Sequence, residues 1–113
     1  MISEYKFGKM VIDGQAYFHD VIVTPEGVLP EWWRKESHRL AVEDIQSVVV
    51  SHRPEVLVVG TGKFGMMKIP EETRRWLEKE GVTLVAERTT RAVQIYNDLS
   101  RNQRVVGAFH LTC

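Results

Sequence analysis

The sequence predicts a three-layer α/β domain opened by a β-hairpin. Three observations carry this expectation. From residue 42 onward, short apolar β-branched runs alternate with segments of helical period, the pattern of helices laid on a sheet with parallel pairing. An Asp-Gly pair stands between two β-rich runs near the start. The 113 residues suffice for one core and are too few for two, so residues 1–113 are expected to form a single domain.

The runs "YKFGKMVI" and "QAYFHDVIV" flank Asp13 and Gly14, and a type I′ turn there joins them as a hairpin, because that turn needs φ > 0. Residues 24–39 contain Pro25, Gly27, Pro30 and the adjacent Trp32 and Trp33, and read as a long loop with a short extended piece at "GVLPEW". Val42, Ile45, Val48 and Val49 then mark one face of a helix that ends before Pro54. "EVLVV", bounded by Pro54 and Gly60, reads as a strand buried on both faces. Pro70 opens a second helix with Glu71 and Glu72 in its first turn, Trp76 and Leu77 facing inward, and Gly81 as its stop. "VTLVA" is a second buried strand. Thr89 or Thr90 caps the clearest helix, whose Ala92, Ile95, Tyr96 and Leu99 recur at helical spacing. "RVVGAFHLT" closes the chain as a strand with a glycine inside it. The predicted order is ββ followed by α-β-α-β-α-β, with the strands at Glu55 and Val82 parallel.

Fifteen basic and fifteen acidic residues cancel. The overall positive field of a nucleic-acid or anionic-membrane binder is therefore missing, and neither partner is expected. A charge near zero leaves self-association open. Cys113 is the one cysteine, so no internal disulfide and no C-x-x-C motif exists, which fits a reducing, cytoplasmic setting. The opening "MISEYKFGKM" has no apolar signal region, and no run approaches the roughly 18 apolar residues of a spanning helix. His19, His38, His52 and His110 lack metal-ligand spacing, and neither a metal nor a cofactor is expected. On one continuous strand His110 and Cys113 would point to opposite faces, which disfavours a Cys–His dyad.

"VVGTGKFG" spells G-x-G-x-x-G behind an apolar run. In the dinucleotide fingerprint the third glycine lies in the opening turn of the helix. Here "MMKI" separates Gly65 from Pro70, and Glu71 and Glu72 would repel a phosphate at that helix start. The loop is also no Walker motif, because Lys63 follows the second glycine without G-K-[ST]. A tight turn with close backbone packing is the favoured reading. If the two predicted strands are parallel, however, their carboxyl ends bring "GTGK" toward "ERTTR". Gly60, Thr61, Gly62 and Lys63 would then form one wall of an anion-receptive edge, and Thr89, Thr90 and Arg91 the other. The competing use of these residues is plain helix capping and a solvated basic face. "WWRKESHR" interleaves aromatics with Arg34, Lys35, His38 and Arg39, but Glu31 and Glu36 dilute it. A solvated face with a tryptophan closing the core is the favoured reading there.

"EVLVVGTG", "TTRAVQIYNDL" and "RVVGAFHLTC", in this order, together resemble a family of small uncharacterised proteins, a domain of unknown function. Its eukaryotic relatives include the adipogenesis-associated domain-containing protein and a mitochondrial complex I assembly factor. The resemblance spans nearly the whole chain, from "FGKMVIDGQAY" to Cys113. It implies a three-layer α/β fold with a mixed central sheet and an additional hairpin, and no established catalytic mechanism. Its motif positions here are Gly60, Thr61 and Gly62, Thr90, Ala92, Tyr96 and Asn97, and His110 and Cys113. With no catalytic constellation in view, the expected function is a non-enzymatic module that acts through a protein partner, an assembly role or self-association. The alternative is a domain, enzymatic or not, that takes a small anionic ligand at the Gly60–Lys63 and Thr89–Arg91 edge.

Overall fold

The computed structural model describes all 113 residues. Strands β1 (Ile2–Lys6), β2 (Lys9–Ile12) and β3 (Gln15–Tyr17) form an antiparallel meander. The turn at Asp13 and Gly14 joins β2 to β3 with both residues at positive φ, 49° and 83°. The expected single hairpin is a three-stranded sheet because Phe7 and Gly8 make a second turn, Gly8 at φ 78°, inside what reads as one apolar run. "QAYFHDVIV" likewise breaks at residues 18–20, and its second half becomes β4 (Val21–Thr24), which pairs with β5 (Gly27–Leu29).

Helix α1 (Val42–His52), β6 (Val56–Thr61), α2 (Glu71–Lys79), β7 (Thr83–Glu87), α3 (Thr89–Leu99) and β8 (Val105–His110) follow. The second sheet runs β5-β4-β8-β6-β7. β6 is parallel to β7 and β8, whereas β4 is antiparallel to β8 and β5, so the sheet is mixed.

Strand alternation divides the core between two faces. Val56 and Val58 of β6, Val105 and Phe109 of β8, and Val21 and Val23 of β4 pack with Ala92 and Tyr96 of α3 and with Ile2, Met10 and Ile12 of the meander. Leu57, Val59, Val106, Ala108 and Ile22 point the other way, to Ile45 and Val49 of α1, Leu77 of α2, Trp32 and Leu40. The result is three layers. Gly107 interrupts the apolar run of β8 because the Phe109 ring lies over it: a Cβ there would stand 2.4 Å from that ring and 2.9 Å from Tyr96. Tyr96 and Phe109 meet edge-on at 5.7 Å, a favourable aromatic geometry.

Two further expectations change. "VTLVA" is no buried central strand; as β7 it is the sheet's edge, half-buried along Leu84, Val85 and Ala86. The N-cap of α3 is Arg88 rather than a threonine, with no side-chain cap. Thr89 is instead fully buried and turned into the seam beside β6 and β8. No helix is long and apolar enough to cross a membrane.

Candidate functional site

Parallel β6 and β8 end side by side, Thr61 opposite His110. Their carboxyl ends are where open α/β sheets place ligands. The glycine loop leaves β6 at this edge, and it is packed shut. Gly62 N–H donates to Thr89 Oγ1 (2.9 Å), Thr89 Oγ1 donates to the His110 carbonyl (2.7 Å), and Thr89 N–H donates to the Gly62 carbonyl (3.1 Å). Lys63 N–H donates to Thr112 O (2.7 Å) and Met66 N–H to Cys113 O (3.0 Å). Thr61 Oγ1 is engaged with Glu87 O (3.1 Å). Gly62 is at φ 105°, and a Cβ there would lie 2.3 Å from the Cys113 carbonyl carbon, so only glycine fits. Thus Gly60, Thr61, Gly62, Lys63 and Thr89 do come together, but the N–H groups of Gly62, Lys63 and Thr89 serve the fold itself. Thr90 and Arg91 face solvent, and Arg91 donates to Gln94 (3.1 Å). β8 ends at His110, leaving Cys113 beyond the strand, so strand alternation does not govern that pair.

On the α1/α2 side of the same edge lies a cluster that no local motif announces. Asp20 immediately precedes β4, Arg34 lies in the loop between β5 and α1, and His110 ends β8. Asp20 Oδ2 accepts from Arg34 Nη2 (2.8 Å) and from His110 Nδ1 (2.7 Å), while Asp20 Oδ1 accepts from Leu111 N–H (2.7 Å). With the Nδ1 proton directed to Asp20, the 3.2 Å approach of Arg34 Nη2 to Nδ1 is a contact between donors that share one carboxylate. The side chains of Arg34 and His110 are only 3% and 5% exposed. Burial opposes the charge on Asp20. The bonds from His110, Leu111 N–H and Arg34 outweigh it, and hold the carboxyl below the usual aspartate range.

The loop that delivers Arg34 is irregular in backbone but heavily tied. Trp32 N–H donates to Asp20 O (2.7 Å), and its indole, 8% exposed, donates to Asp44 O (3.0 Å). Asp44, in the first turn of α1, accepts from Lys35 and Ala41 N–H. Farther along, Leu40 N–H donates to Lys68 O and Lys68 N–H to His38 O. The Arg34 guanidinium stacks 4.6 Å over Trp32 and bonds the Ser37 carbonyl through Nε (3.0 Å) and Nη2 (2.8 Å). Its position is therefore fixed before anything binds.

Asp20, Arg34 and His110 line a cleft of about 230 Å³ with Ser37, His38 and Trp33 among its other walls. The His38 ring meets His110 edge-on at 5.4 Å. Trp33 (71% exposed) and Phe18 (64%) border it, with the His19 ring tilted against Trp33 at 5.6 Å. Two nitrogens of the cluster, Arg34 Nη1 and His110 Nε2, are buried and have no hydrogen-bond partner. The Asp20–His110 pair leaves Nε2 as a site that can take up a proton or accept a hydrogen bond, and Arg34 Nη1 as a donor. No three His, Cys, Asp or Glu side chains are grouped so as to hold a metal ion.

The sequence alone marks Arg34 and His38 only as part of a solvated basic stretch and disfavours His110 as a cysteine partner, and it gives no sign of Asp20. The members stand 14, 76 and 90 residues apart, which leaves no spacing to recognise.

A family model described as a protein of unknown function (DUF498/DUF598) matches residues 2–110. Among solved structures, the chain is similar to conserved hypothetical protein PH1505 of Pyrococcus horikoshii, with 27% identity and a TM-score of 0.84, covering 100% of this chain and 99% of that one. It is similar also to a Bordetella parapertussis protein at 28% identity and TM-score 0.85, covering 98% and 94% of the two chains. A Bordetella pertussis protein described as a Mth938-like domain shares the fold at 24% identity and TM-score 0.79, covering 98% and 85%.

Proposed function

We propose, for a chain that belongs to the DUF498/DUF598 family of proteins of unknown function, that it is a small-ligand-binding domain acting through the Asp20–Arg34–His110 cleft. One observation carries the reading: two buried polar nitrogens on cleft-lining side chains, Arg34 Nη1 and His110 Nε2, lack hydrogen-bond partners. Orphaned buried groups of this kind cost about 1–3 kcal/mol each, and more when charged, so a ligand that satisfies them gains that difference. An anion at the Gly60–Lys63 and Thr89–Arg91 edge would have to displace backbone bonds already made, which is why the cleft is preferred. The test is a thermal-shift panel of anionic and neutral metabolites, because selective binding to the native state raises the melting temperature. A saturable shift lost in Arg34→Lys and kept in Thr90→Ala/Arg91→Ala supports the cleft. A shift with the reverse dependence moves the site to the glycine-loop edge.

A second reading, an interaction or assembly module in the cytoplasm working through a protein partner or a second copy, is favoured by a different observation. Phe7 and Phe64, 53% and 59% exposed with ring centroids 6.3 Å apart, form an apolar patch outside the cleft, with Met66 nearby in sequence and also exposed. Sedimentation across a concentration series tests self-association. A mass that rises in the wild type and not in Phe64→Ser favours it, and a monomer at all concentrations removes it.

A further inference from the structure

The two orphan nitrogens belong to side chains whose other atoms already meet: Arg34 Nη2 and His110 Nδ1 share Asp20 Oδ2, with 3.2 Å between them. The free nitrogens therefore come from two neighbouring planar groups, each held by the same carboxylate. Two donors suit two acceptor oxygens on one small group.

Charge narrows the class. Arg34 is offset by Asp20, Leu111 supplies only its N–H, and no other acid or Lys lines the cleft. His38, edge-on to His110, and His19 are the other ionisable rings of the lining, and Tyr5 donates to the Leu111 carbonyl (2.9 Å). On the two side chains that carry the free nitrogens, the positive charge not already offset by Asp20 is the single one gained when His110 is protonated. That balances a monoanion and leaves a phosphomonoester dianion over-charged in a buried setting. The size and rim agree: about 230 Å³ lies just under the usual range for drug-sized ligands, and Trp33 and Phe18 offer apolar surface at the mouth.

We propose that the cleft binds a small monocarboxylate with an apolar tail, its two oxygens received by Arg34 Nη1 and His110 Nε2 and its tail lying against Trp33 and Phe18. The proposal rests on the reading of the cleft as the binding site. Because Nδ1–H is given to Asp20, Nε2 can donate to a carboxylate only when the ring carries both protons. The bound ring therefore carries both protons, and affinity falls as pH rises and that form is lost.

The experiment follows the His110 imidazole nitrogens by NMR while benzoate, benzamide, phenyl phosphate and acetate are titrated separately, with calorimetry in two buffers to count protons. Benzoate is expected to move Nε2 saturably and to leave both ring nitrogens of His110 protonated in the complex, binding more tightly than acetate or phenyl phosphate. Benzamide moving the same signals equally well would overturn the carboxylate while leaving the cleft as the site. Phenyl phosphate binding more tightly than benzoate would overturn it too. If no probe moves His110 while other ligands give thermal shifts lost in Arg34→Lys, the carboxylate is wrong; if those shifts survive in Arg34→Lys, the cleft reading fails as well. Arg34→Lys keeps the charge and removes Nη1, and should weaken benzoate at least about tenfold. Should it fail to fold, exposed Trp33→Ala serves: it should weaken benzoate severalfold and leave acetate unchanged, and an unchanged benzoate affinity refutes the tail contact.

Discussion

Replacing Asp20 by Asn tests the cluster most directly, because the exchange keeps shape and removes the charge. In the wild type one carboxylate accepts three bonds, from Arg34 Nη2, His110 Nδ1 and Leu111 N–H, at 2.7–2.8 Å. The amide oxygen of Asn can still accept from Leu111, but its NH₂ end presents a donor to the guanidinium. Arg34, its side chain 3% exposed, is left without a counter-charge. Removing one partner of a buried ion pair costs about 3–5 kcal/mol, against a total stability on the order of 5–15 kcal/mol for a domain. The pH dependence has a definite sign. The folded carboxyl titrates below its ordinary value, so its stabilisation is fully present above the unfolded aspartate pKa, about 3.9, and is lost as pH falls through the folded pKa. Urea unfolding at neutral pH and at a series of values below about 4.5 should show Asp20→Asn less stable by roughly 3 kcal/mol or more at pH 7, with the gap closing on acidification. A loss under about 1 kcal/mol at pH 7, or a gap that stays constant down to acid pH, would refute the assignment of a functioning buried pair.

Thr89→Val preserves volume and removes the hydroxyl that joins Gly62 N–H to the His110 carbonyl, leaving two buried backbone groups unpaired; about 2–5 kcal/mol should be lost in urea unfolding, whereas Thr89→Ser should lose about 1 kcal/mol. Tyr96 is held neutral by burial and then by repulsion from Asp13, its pKa pushed up to about 12. Its stabilising contribution is present below the unfolded tyrosine value of about 10 and lost as pH rises toward 12. Absorbance titration near 295 nm should show late phenol ionisation, from Tyr5, raised chiefly by burial, as well as from Tyr96, and Tyr96→Phe should remove part of it together with part of the alkaline loss of stability.

Where residues near in sequence decide the structure, the pattern was readable. α1 ends at His52 just before Pro54, Gly81 follows α2 at φ 77°, and "VLVV" is buried on both faces, because proline geometry, glycine freedom and hydrophobic period all act within a few residues. The same locality explains the misreadings. Gly8 sits in apolar company and looks like strand interior, yet its positive φ splits the run. Thr89 looks like a cap and is instead recruited by Gly62 and His110, partners 27 and 21 residues away.

The candidate site divides along this line. The G-x-G loop could be seen because its glycines are neighbours, but whether its N–H groups were free depended on residues 110–113 folding back across it. Asp20, Arg34 and His110 carry no shared motif. They meet because antiparallel β4–β8 pairing brings Asp20, just before β4, beside His110 at the end of β8, and because Trp32 anchors the loop that swings Arg34 between them. The sequence by itself determined the α/β class, its three helices and the buried strands β6 and β8, since these follow from local dihedral preference and apolar period. Only the tertiary structure decided which charges lie buried together, because long-range pairing register, not spacing along the chain, sets the distances over which they act.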